Sequence, residues 1–143
     1  MAKCMLHGAG TGTIVGGVIQ LGILIDKKMK DLAPDIFRQR MVVEGTLKQS
    51  FKPLEMIGYC TRVTDVLNMT AVSTPICSHD KKYGWCAYMH WKESGIHIYS
   101  WGTRVPPFFS IDIYTCKSFK EENVIKFTKD FFGNNLIELS CGN

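Results

Sequence analysis

Between Trp85 and Cys116 apolar and polar side chains alternate in three successive runs, and this restricts the fold more than any other feature of the chain. Trp85, Ala87, Met89 and Trp91 share one face of the first run, with Cys86, Tyr88 and His90 on the other. Ile96, Ile98 and Ser100 alternate with His97, Tyr99 and Trp101 in the second run. In the third, Phe109, Ile111, Ile113 and Thr115 alternate with Ser110, Asp112, Tyr114 and Cys116. A period of two is that of a half-buried β-strand. The breaks at Lys92 to Gly95 and Gly102 to Pro107 suit hairpin connections, so the strands are expected to pair antiparallel, with one face packed on a core.

The flanking segments supply that core. Met41 to Leu47 is β-branched and short, and predicts a first strand. Ser50 can cap the helix that follows, Pro53 sits at a first-turn position, and Met56, Cys60, Val63 and Leu67 recur at helical spacing up to Asn68. Met69 to Cys77 reads as a strand that Pro75 pushes toward an edge or a bulge, and Ser78 to Gly84 as a polar turn. After the third run, Ser118 and Glu121 form a capping-box pattern. Val124, Phe127 and Phe131 mark the buried stripe of a second helix ending at Gly133, and Leu136 to Leu139 is a last short strand. The fold class is therefore α+β: a two-layer sandwich, an antiparallel sheet with two helices on one face. The opposite face is rich in Trp and Tyr, so a second copy or the N-terminal segment is expected to cover it.

With 143 residues, 45% of them hydrophobic, the chain holds one small domain with a real core. We place it at residues 41–143, after a Gly-rich hydrophobic extension at 1–40. Residues 5–25 lack Asp, Glu, Lys and Arg, and a stretch of that length can span a bilayer. Gly8, Gly12 and Gly16 also have the spacing that lets membrane helices approach closely. This segment is a candidate membrane or helix-packing element, on a protein otherwise expected in the cytoplasm or an organellar matrix. The net charge of +4 is spread along the chain, without the clustered basic patch of a nucleic-acid binder. The six cysteines show neither CxxC spacing nor a His/Cys cluster, which points to free thiols and no metal site.

Glu93 and Ser94 occupy the break between the first two runs. From Glu93-Ser94-x-Ile96-x-Ile98-x-x-Trp101, then Ser110-Ile111-Asp112-Ile113-Tyr114-Thr115-Cys116-Lys117-x-Phe119, together with the element order, residues 41 to 139 resemble the bacterial and phage-type S-adenosylmethionine decarboxylases. The resemblance implies self-cleavage between Glu93 and Ser94. The serine hydroxyl attacks the preceding carbonyl, and elimination and hydrolysis leave a pyruvoyl group at position 94. That ketone would form a Schiff base with the amine of S-adenosylmethionine, or of a related amino acid, and accept the electrons released with carbon dioxide. Cys116 is implied as the acid that returns a proton. Spermidine synthesis is the implied setting, and a homo-oligomer or a larger complex the implied assembly.

Three positions depart from the family's pattern. Tyr99 stands where the family has its processing histidine, with His97 two residues earlier on the same face; a phenol, with an ordinary pKa of about 10, is the poorer base at neutral pH. Cys86 stands at the processing serine. Gly102-Thr103 replaces a Pro-Glu pair whose acid binds the substrate ribose. These losses also fit an alternative, a non-catalytic descendant serving as structural subunit of a larger, membrane-bound assembly.

Overall fold

The computed structural model describes residues 30–142, and from Ala33 onward these form one compact unit. The elements are β1 (Gln39–Leu47), α1 (Pro53–Val66), β2 (Ile76–Asp80), β3 (Gly84–Trp91), β4 (Ser94–Trp101), β5 (Phe108–Thr115), α2 (Glu121–Phe132), a 3-10 turn (Gly133–Asn135) and β6 (Leu136–Gly142). The strands form one sheet in the order β2-β3-β4-β5-β1-β6, every neighbouring pair antiparallel. The three alternating runs are therefore consecutive hairpin partners, and β1 closes their far side.

Alternation places Met41, Val43 and Leu47 of β1 on the same face as Ala87, Met89 and Trp91 of β3, Ile96 and Ile98 of β4, and Phe109, Ile111 and Ile113 of β5, all buried. They form one cluster with Met56, Tyr59, Cys60 and Val63 of α1 and Val124, Phe127 and Phe132 of α2. Both helices thus cover one face of the sheet, as an α+β sandwich. Phe51 is a hub of this core, edge-on to Tyr59, Phe109, Phe131 and Phe132. Polar groups inside are satisfied: the Thr128 hydroxyl donates to the Val124 carbonyl at 2.7 Å and is the partner of the Tyr59 hydroxyl at 2.7 Å.

Several local expectations are corrected. The cap of α1 is Lys52 rather than Ser50, and the Lys52 N–H donates to the Glu55 carboxylate at 2.8 Å. Helix α2 is preceded by Lys120 and has no side-chain cap, so Ser118 and Glu121 make no capping box. Its buried face also includes Phe132, with Phe131 only partly buried. Met69 to Pro75 is not a strand. Asn68 leaves the helix at a left-handed φ of 52°, and the segment then pairs with β3 only through a bridge between Ala71 and Trp91. Ser78 to Asp80 belong to β2 instead of a turn; the Asp80 carboxylate accepts from the Lys82 and Tyr83 N–H groups and closes the hairpin there. The last strand runs on to Gly142, because its backbone pairs with β1 as far as Val42.

No helix among the described residues is long and apolar enough to cross a membrane. The hydrophobic segment at 5–25 lies outside the described residues.

Candidate active site

The turn between β3 and β4 consists of Lys92 and Glu93, closed by the pairing of Trp91 with Ser94. Two-residue hairpin loops favour residues with positive φ, hence Gly, Asn or Asp. Here the positive φ falls just outside the loop, on Ser94, at 143°. A side-chain-bearing residue there is strained by of order 1–3 kcal/mol, at the N–Cα bond next to the peptide between Glu93 and Ser94. Gly95 is required next, since an added Cβ would lie 2.8 Å from the Met89 carbonyl oxygen and 3.2 Å from the Tyr88 ring.

The Glu93 carbonyl accepts a hydrogen bond from the Cys116 N–H at 2.9 Å. Cys116 follows the last residue of β5 and is exposed, and its neighbour Thr115 pairs directly with Ser94. The Thr115 hydroxyl and the Lys117 backbone are joined at 2.8 Å, which fixes the bend that aims this N–H. The Glu93 side chain accepts from the Thr70 N–H at 2.9 Å and the Thr70 hydroxyl at 3.1 Å. The Thr70 N–H chiefly, with the Thr70 hydroxyl and the Lys117 ammonium in support, holds the Glu93 carboxyl below its ordinary pKa.

On the open face of the sheet beside this turn lies a cavity of about 220 Å³, lined by Ser94, Gly95, His97, Asp112, Tyr88 and Tyr114 among others. His97 stacks on Tyr88, ring centroids 4.5 Å apart, and pairs across the strands with Asp112. The Asp112 carboxylate is held by Arg40 through two bonds, Nε to Oδ1 at 2.9 Å and Nη2 to Oδ2 at 2.6 Å.

Of the residues singled out from the sequence, Ser94 and His97 share this cavity, whereas Glu93 and Cys116 are outside its lining and meet beside it, across the Glu93 carbonyl. Cys86 and Tyr99 are placed opposite each other in the β3–β4 register, outside the cavity lining, with the Cys86 Sγ 3.0 Å from the Ser78 hydroxyl. Gly102 and Thr103 line a different cavity, of about 240 Å³, with Phe51, Lys52 and Trp85. The buried Cys60 is of another kind: burial pushes its thiol up to about 12, so it stays protonated.

Sequence reasoning missed Arg40 and Thr70. Extending the alternation into β1 would have put Arg40 on the open face. Nothing local marks Thr70, which is 23 residues from its partner.

None of the curated proteins compared with the chain matches it. A family model described as S-adenosylmethionine decarboxylase matches residues 33–141, a span that holds all six strands but the last residue of β6, both helices and the strained peptide. The chain therefore belongs to the S-adenosylmethionine decarboxylase family.

Proposed function

We propose that the chain, a member of a carboxy-lyase family, cuts its own backbone between Glu93 and Ser94 and then decarboxylates S-adenosylmethionine with the pyruvoyl group formed at position 94. The observation that carries this reading is the geometry of one peptide: a strained serine at φ 143° whose preceding carbonyl already accepts the Cys116 N–H at 2.9 Å.

In this reading the Ser94 Oγ attacks the Glu93 carbonyl carbon, and negative charge develops on an oxygen that a fixed donor already faces. The C–N bond breaks to leave Glu93 esterified to the Ser94 oxygen and the Ser94 nitrogen as an amine. Loss of the Ser94 α-proton expels the Glu93 carboxylate, and water converts the remaining enamine to the ketone with release of ammonia. The proton of the Ser94 hydroxyl goes to His97. It lines the cavity with Ser94 while Tyr99 does not, and an imidazole is the better base near neutral pH. A pyruvoyl group at position 94 would supply the electron sink that decarboxylation needs, and Cys116 is the residue that would return the proton. The rings of Tyr88 and Tyr114 around the cavity suit a substrate with a cationic centre and an aromatic base.

Intact-mass measurement tests the reading: two fragments meeting between Glu93 and Ser94, the second with a blocked N-terminus, are expected, and one full-length mass overturns it. Cys116→Ala separates the two steps. It keeps the backbone N–H, so it still cleaves, while decarboxylation falls by about 10²–10⁴-fold; an equal loss of cleavage would move Cys116 out of the acid's role.

The open face supports an assembly. Tyr88, His97, Tyr99, Trp101 and Phe108 form a continuous ribbon of rings across β3, β4 and β5, successive centroids 4.5 to 6.3 Å apart. A second copy packed on this ribbon is the assembly we favour. Sedimentation should give twice the 16.2 kDa chain mass, and Tyr99→Glu should return it to one.

A further inference from the structure

We infer that Thr70 is a positioning residue for self-cleavage: by gripping the Glu93 carboxylate it turns the Glu93 carbonyl onto the Cys116 N–H. The inference rests on the self-cleavage reading above.

The turn it acts on is poorly made for its job. Lys92 and Glu93 are not among the described residues with positive φ, so the hairpin does not close through the primed turns that match strand twist. Such a turn needs support from outside the hairpin, and the connection between α1 and β2 provides it. Thr70 alone makes three of the contacts. Its N–H and hydroxyl donate to the two oxygens of the Glu93 carboxylate at 2.9 and 3.1 Å, and its carbonyl accepts the Lys92 N–H at 2.8 Å. Two residues on, the Val72 N–H donates to the His90 carbonyl at 3.0 Å. The same connection is tied to the other side of the scissile bond, where the Lys117 ammonium donates to the Asn68 carbonyl. Glu93 is thus held by its side chain from one direction and by its carbonyl from the other, and rotation of the peptide between them is blocked.

A clamp of this kind raises the fraction of time the carbonyl spends in the reactive orientation. It also keeps the new chain end in place after the cut, because none of its bonds crosses the bond that breaks. Its charge dependence follows from the Glu93 carboxylate. Only the ionised form accepts both Thr70 bonds, and the Thr70 N–H holds its pKa below the ordinary value. The grip itself should therefore weaken only in acid, below the usual carboxylate range.

Two arms test it. In a Ser94→Ala chain, which does not cleave, Glu93→Ala should speed exchange of the Cys116 amide proton by about tenfold or more, and Thr70→Val, which keeps the N–H, by less, while amides of Ile96 and Ile98 stay protected. In the cleaving chain Glu93→Ala should slow fragment formation by about tenfold to a hundredfold, and Thr70→Val, which keeps the N–H, by less. Unchanged Cys116 exchange overturns the inference even if cleavage slows, since Glu93 would then act in another way. A wild-type chain that never cleaves overturns the self-cleavage reading instead, and the exchange arm still decides the clamp.

Discussion

Replacing Ser94 with alanine is expected to leave a single 16.2 kDa chain where, on the proposed function, the wild type should yield two fragments. Alanine keeps the Cβ and so the same backbone strain at φ 143°, and the Cys116 N–H still meets the Glu93 carbonyl. What disappears is the hydroxyl proposed to attack. Removing a nucleophile from a preorganised site costs more than about 10³-fold, so no cleavage should be seen on the timescale of wild-type processing, and no decarboxylation with it. Ser94→Gly gives a companion result. It too stops cleavage, but glycine occupies positive φ freely, so the variant should be more stable than Ser94→Ala by about 1 kcal/mol in urea unfolding. Equal stabilities would mean that the scissile peptide stores no strain.

Trp91→Ala has the largest expected effect on folding. Trp91 is fully buried, and its indole N–H donates to the Thr64 hydroxyl at 2.8 Å, which in turn donates to the Cys60 carbonyl at 2.7 Å. Truncation removes the ring from between β3 and α1 and leaves a void, at a cost of about 3–5 kcal/mol. A domain of this size has a total stability of about 5–15 kcal/mol, so the variant is expected to lose a large share of it. Trp91 is also the cross-strand partner of Ser94, and the same change should loosen the scissile turn. Ile137→Ala, at a position 55% exposed, is the control and should change stability by less than about 0.5 kcal/mol. A loss below 1 kcal/mol for Trp91→Ala would contradict the packing described.

These two results bear on different layers of what could be read in advance. Strands β3, β4 and β5, their faces and both helix stripes were legible because burial alternates residue by residue and each side chain reports its own environment. The helix starts were not, since Ser50 and Ser118 are competent caps that the chain passes before its backbone turns helical at Pro53 and Glu121. Met69 to Cys77 looked like a strand by composition. Only Ile76 and Cys77 belong to one, at the start of β2, and the backbone at Thr70 and Val72 instead reaches Lys92 and His90 of the neighbouring hairpin.

The candidate site divides the same way. Glu93, Ser94 and Cys116 were identifiable because their order along the chain follows a family pattern, and their meeting across one carbonyl follows from the register of β4 on β5. The order of residues determined by itself that the chain makes an antiparallel sheet backed by two helices, and that Glu93 and Ser94 fall at the junction of two of its strands. Tertiary structure alone decided the φ of Ser94, the N–H that faces the Glu93 carbonyl, the choice of His97 over Tyr99 as neighbour of the cavity, and the grip of Thr70 on Glu93. Alternation and propensity are properties of neighbours in sequence, whereas a hydrogen bond across 23 residues depends on where the whole sheet brings the chain back to itself.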